Sequence, residues 1–153
     1  MHEAGKQVVL DAGRTNSPIP KQTRALVEET DVLICGSGFG AMLTGQKEVW
    51  DIANAILEIG PKVVVQTEGE NGNYTLSRDE QFHTPAFEVD IVDTTGAGDV
   101  FHGAYLVGLA KGWELERIAR FSSAVSALHC TVLGNRKGIP AMNEVEEFLK
   151  ARA

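Results

Sequence analysis

Asp93-Thr94-Thr95-Gly96-Ala97-Gly98-Asp99 runs without a break into the apolar stretch 100–110. Its two glycines let the backbone turn tightly and leave no Cβ between that backbone and an approaching ligand. The apolar stretch reads as a helix, whose first turn carries amides without intrahelical acceptors at the positive end of the dipole. The amides of Gly96, Ala97, Gly98 and Asp99 are therefore placed to converge on an anion, phosphate being the obvious candidate. Asp99 is the odd member, because a carboxylate repels the anion it faces. On one reading it only complements the helix dipole. On the other it is a general base, taking the proton of an attacking hydroxyl while the amides hold the phosphoryl group in transit.

The whole string, continued by Phe101, Gly103 and Ala104, resembles the C-terminal signature of the ribokinase-like (PfkB) carbohydrate kinases. The resemblance implies a ribokinase-like three-layer α/β/α fold with a mostly parallel sheet, and ATP-dependent phosphotransfer to a sugar hydroxyl. It makes Asp99 the catalytic base and 96–99 the anion hole. Upstream, Thr67-Glu68-Gly69-Glu70-Asn71-Gly72 is similar to the family's Thr-x-Gly-x-x-Gly turn at the edge of the nucleotide pocket. That assigns Thr67, Gly69 and Gly72 to ATP, although taken alone the string is a glycine-rich turn between strands. Ser123, among small residues on a later helix, is expected beside the adenine, with tight packing as the bland account. Asp93 and Thr95, with the stretch 131–134 that ends in Gly134, are implied to hold a monovalent cation, K+ being the candidate. Mg2+ is implied with the ATP, but its protein ligands are unassigned. Where the family carries Asn-x-x-Glu, ahead of a Leu-Thr-Gly matched here by Leu43-Thr44-Gly45, this chain has Gly36 and Phe39. The departure removes a carboxylate that would help to organise magnesium.

At 153 residues, 43% of them hydrophobic, the chain has the length and apolar content of one domain with one core. A net charge of -7 argues against nucleic acid and anionic membranes as partners, since both ask for a basic face. Cys35 and Cys130 stand far apart with no metal-knuckle or redox spacing, and read as buried thiols in a reducing cytosol. The histidines His2, His83, His102 and His129 are scattered, which argues against a histidine metal site. The start, Met1-His2-Glu3-Ala4-Gly5-Lys6, shows no apolar leader, and no apolar run is long enough to span a bilayer. A cytoplasmic protein is expected.

In chain order, 7–10 reads as a buried parallel strand ending in Asp11, which either faces a site or fixes the turn. A helix is expected over 21–29 and a strand over 31–35. Gly36-Ser37-Gly38-Phe39-Gly40-Ala41 then has the form of a dinucleotide fingerprint. A true fingerprint opens a longer helix and has an acidic residue about 20 residues on; here Gly45 cuts the helix and the next strand ends in Gln66 and Thr67. The stretch 48–59 is amphipathic, and Gly60 and Pro61 end it before the β-branched strand Val63-Val64-Val65. Strands are expected over 73–76 and 81–85 around the turn Ser77-Arg78-Asp79-Glu80. Beyond the signature helix, Gly112 precedes a long helix over 114–130, and Asn143 with Glu146 forms an expected capping box for a last helix over 144–151.

The resemblance covers nearly the whole chain but only the C-terminal portion of the family's fold, so residues 1–153 are expected to be one portion truncated at the N-terminal side. Such a piece carries the nucleotide side and the base without most of the acceptor side, and misplacing an acceptor costs orders of magnitude in rate. An inactive isolated chain is therefore one expectation, and a non-catalytic nucleotide-binding or partner-binding remnant is the main alternative. A truncated sheet also leaves a strand unpaired. Self-association through 8–10 or 33–35 is expected from that edge.

Overall fold

The computed structural model describes residues 6–152. The start 1–5, His2 included, lies outside them. By backbone contacts the chain divides into two compact units, Met1–Glu68 with Asn73–His83, and Gly69–Gly72 with Thr84–Ala153.

The first unit holds β1 (Val9–Asp11), α1 (Lys21–Glu28), β2 (Val32–Gly36), α2 (Phe39–Thr44), α3 (Val49–Ile59) and β3 (Val63–Thr67), followed by β4 (Asn73–Ser77) and nearly all of β5 (Gln81–Thr84). The sheet order is β1-β2-β3-β4-β5. β1, β2 and β3 are parallel, pairing Val9 with Val32 and Val32 with Val63, whereas β4 returns antiparallel with Thr67 opposite Asn73. Crossover helices lie between the parallel strands because parallel neighbours cannot be joined by a tight turn. The apolar stripes of these elements, Val27, Leu33, Ile52, Ile56 and Val64 among them, form one buried core. At the N-terminal end of the strands, the buried Asp31 carboxylate accepts the Val8 N–H at 2.9 Å and meets Lys62 Nζ at 2.8 Å, so a buried charge is paired.

β2 lies between β1 and β3. The stretch 33–35 is therefore not an edge, and only β1 of the two expected strands is one. Sequence shows that a strand is apolar but not who its neighbours are.

The second unit contains a 3-10 turn (Gly69–Asn71), then α4 (Ala97–Ala110), α5 (Leu115–Cys130) and α6 (Met142–Lys150). Residues 85–96 run into the signature loop with no strand or helix. Val100, Ala104, Phe121, Ala124, Val125 and Val145 are the buried core of this unit. α4 and α5 approach closely at Gly108, where a Cβ would lie 2.7 Å from Ile118 Cγ1. The expected capping box is misplaced: α6 starts earlier, and it is Glu144 that accepts the N–H of the cap residue Ala141. Alanine has no side-chain oxygen to return the bond, so only half of the motif is present.

Candidate functional site

In the first unit the strands β1, β2 and β3 end together, with Asp11 opposite Ile34 and Gly36 opposite Thr67. Asp11 Oδ1 accepts the Gly13 N–H at 2.8 Å and so shapes its own turn. The glycines of 36–41 are used by the chain itself. Gly36 donates to Gly13 O at 2.6 Å, a Cβ at Gly38 (φ +87) would run into Thr15 O and Asn16 Oδ1, and one at Gly40 would meet Ile52. α2 runs only from Phe39 to Thr44 and stops at Gly45, shorter than the helix that a dinucleotide site opens. Phe39, which stands where the family carries a carboxylate, is 2% exposed in the core. Thr67 closes β3, its Oγ1 donating to Cys35 O at 3.3 Å. Burial pushes the Cys35 thiol up to about 12, with the charges of Glu68 and Asp11 adding to it.

In the second unit, Gly69 (φ +58) and Gly72 (φ +81) form a tight turn closed by Gly72 N–H donating to Gly69 O at 3.0 Å. Gly72 is required twice, by its left-handed φ and because a Cβ would collide with Thr84 O. Ser123, expected at the nucleotide, is 8% exposed on α5 and offers little surface to a ligand.

The signature loop is held by the end of α5. Val92 and Asp93 N–H donate to Cys130 O at 2.8 and 3.1 Å, Ser126 Oγ donates to Ala97 O at 3.0 Å, and His129 Nε2 lies 2.8 Å from Thr95 O. Asp93 folds back on the loop, Oδ1 accepting Thr95 N–H and Oδ2 accepting Gly134 N–H, each at 2.9 Å. These amide bonds, Thr95 first, hold the Asp93 carboxyl below the usual value of 3.8. Burial raises the Cys130 thiol, and the Asp93 charge adds to the effect.

Gly96 caps α4 at φ +81, a conformation that strongly favours glycine. The four amides expected to form the anion hole do not all stay open. Ala97 N–H donates to Thr94 O at 3.1 Å, closing the turn, whereas those of Gly96, Gly98 and Asp99 have no protein acceptor among the described residues. A Cβ at Gly98 would meet nothing within 4 Å. Asp99 is exposed in the first turn of α4, and it borders a cleft of about 500 Å³ with Gly96, Gly103, Val107, Asn135 and Arg136. Such a loop offers three parallel tools: unpaired amides, a helix N-terminus and a solvent-facing carboxylate.

Asp93, Thr95 and Gly134, expected to hold a monovalent cation, do come together. They do so through hydrogens, since each Asp93 oxygen meets an amide N–H and the Thr95 carbonyl meets an imidazole nitrogen. No group of three or more His, Cys, Asp or Glu among the described residues is arranged to hold a metal ion. No helix among them is long and apolar enough to cross a membrane. Sequence reasoning missed His129 and Ser126. Both sit on a helix face that reads as ordinary packing, and their partners are 34 and 29 residues away.

An α/β chain in which a glycine-built loop opens a helix is the class that this geometry defines. The chain belongs to the pfkB family of carbohydrate kinases, whose model matches residues 1–142. It is 39% identical to the ribokinase of Bacillus subtilis over 93 residues, 61% of this chain and 32% of that protein. The structure of Arabidopsis thaliana ribokinase complexed with ribose and ATP superposes with a TM-score of 0.84 at 30% identity, over 97% of this chain and 49% of that one. A putative ribokinase II from E. coli in complex with ATP and Mg2+ gives a TM-score of 0.86 at 27% identity, over 98% and 50%. The fold is therefore ribokinase-like, and the chain spans about a third to about half of the proteins it matches.

Proposed function

We propose that this chain is the nucleotide-binding and catalytic-loop portion of an ATP-dependent carbohydrate kinase. The observation that carries the reading is the pairing, at the start of α4, of the unbonded Gly96, Gly98 and Asp99 amides with the exposed Asp99 carboxylate. The amides bind the oxygens of the transferring phosphoryl group, where charge gathers in the transition state, and Asp99 takes the proton of the attacking sugar hydroxyl. Thr67, Gly69 and Gly72 border the nucleotide, as their likeness to the family's turn implies, with Ser123 limited to an edge contact. The relatives solved with ATP, Mg2+ and ribose support this reading.

Mg2+ supplies charge neutralisation between the phosphates when bound. Its protein ligands are unassigned, and one or two carboxylates with the phosphates and water would suffice to hold it. The chain spans about half of its solved relatives, and nucleotide binding is the activity proposed for the chain alone. The binding-only alternative is favoured by Phe39, which stands in the core in place of the family's carboxylate. Dinucleotide binding at 36–41 loses its ground, because the loop 13–16 and α3 already occupy those glycines.

Calorimetry with ATP and Mg2+, against NAD in parallel, tests the reading: heat is expected for ATP alone, and tighter binding of NAD overturns it. In a protein competent for transfer, Asp99→Asn is expected to cut turnover about 10²–10⁴-fold, the range of general-base catalysis, while ATP affinity stays nearly unchanged. Transfer that survives the substitution removes Asp99 from the role.

A further inference from the structure

His129 is 1% exposed at the end of α5, and its Nε2 lies 2.8 Å from the carbonyl oxygen of Thr95. A carbonyl only accepts, so Nε2 carries the hydrogen and donates it. The other ring nitrogen, Nδ1, is buried with no hydrogen-bond partner among the described residues. It rests against Gly138, where a Cβ would stand 3.1 Å from Nδ1 and 2.6 Å from His129 O. The ring thus makes one directional bond, and that bond goes to the signature loop.

The bond fixes more than one atom. Thr95 C=O and Gly96 N–H belong to the same planar trans peptide and point in opposite directions. Holding the carbonyl toward α5 therefore aims the Gly96 amide away from α5. A rotation of this peptide would withdraw one of the three amides left open at the start of α4. Gly96 is fitted to the arrangement as well, since a Cβ there would lie 3.7 Å from His129 Nε2 and 3.2 Å from Asn135 Cβ.

We propose that His129 is the positioning residue of the phosphate loop: its Nε2–H holds the Thr95 carbonyl and, with the Asp93 carboxylate, closes the underside of the loop without a monovalent cation. Three of the oxygens expected to hold such a cation already accept a hydrogen, Asp93 Oδ1 from Thr95 N–H, Asp93 Oδ2 from Gly134 N–H and Thr95 O from the imidazole. The inference rests on the function proposed above only in naming the loop's ligand.

Amide hydrogen exchange on the whole chain tests it at Thr95, Ala97, Val100 and Gly134, whose N–H groups are bonded within the loop. His129→Leu is expected to speed exchange at these four amides about tenfold, the cost of one buried hydrogen bond, and to leave α6 protected. His129→Gln, which keeps an N–H donor near the same place, is expected to restore most of the protection. In the unaltered chain, replacing KCl with tetramethylammonium chloride is expected to change nothing. Should the leucine variant fail to fold, the imidazole nitrogen shifts of the unaltered chain decide instead, with the hydrogen expected on Nε2. A hydrogen on Nδ1, unchanged loop exchange in the leucine variant, or loop protection that needs K+ overturns the proposal. ATP titration of the unaltered chain is read separately, and its failure counts against the kinase reading while the exchange result still judges His129.

Discussion

Asp93 does its work as an acceptor, and its protonation shows when that work stops. Its carboxyl titrates below 3.8 in the folded chain because Thr95 and Gly134 amides favour the ionised form. A depressed folded value means that the carboxylate contributes stability above the unfolded value and loses it as pH falls through the folded one. The Gly134 and Thr95 amide resonances are therefore expected to shift together on acidification, with a midpoint under 3.8. Asp93→Asn removes that acid transition and turns an amide NH2 toward one of the two donors, so loop order is expected to fall at neutral pH. Matching midpoints in the two proteins would disprove this. At this scale the sequence was readable where chemistry is local. Asp99 and the glycines announce themselves by type and spacing. His129 does not, because its significance lies in a carbonyl that carries no side-chain signature, and Ala97 was taken for a free donor because a turn onto Thr94 O is not written in residue type.

Elements came through the sequence better than their contacts did. α3, β3 and α5 fall within a residue or two of their apolar periodicity, since burial on one face dictates composition. The start of α6 differs from the expected one because Asn143 and Glu146 carry both residue types of the motif, whereas Ala141 and Glu144, which start the helix, make only half of it. The packing of α4 on α5 was not legible at all, yet it gives a sharp test. Gly108 faces Ile118, with 2.7 Å left for a Cβ, and Ile118 is fully buried. Gly108→Ala gains helix propensity but overpacks this contact, and a net loss of about 1–3 kcal/mol is expected in urea denaturation. Gly103, with nothing within 4 Å of its Cβ position, serves as the control, where alanine is expected to be neutral or stabilising. Equal effects at the two glycines would show that α4 and α5 are not in tight contact.

For the whole molecule, the family and the ribokinase-like fold followed from one seven-residue string, whereas strand order did not. β1 is one of the two edge strands of the described sheet, with β5 the other. Val8 O and Ala12 N–H bond to β2 residues, so by alternation Val9 turns its amide and carbonyl the other way. Proline is tolerated at such an outward edge position. Self-association through β1 is therefore expected to appear as concentration-dependent mass in sedimentation, and Val9→Pro to abolish it with little change in unfolding midpoint; a monomer at every concentration removes the proposal. One feature of the second unit reaches further. Four residues of the last helical turns and the segment after them, Ser126, His129, Cys130 and Gly134, dictate the course of the seven-residue string that names the family. The string is consequently not a portable cassette. Grafted onto another scaffold, it would reproduce its working shape only if that distant stretch were transplanted along with it.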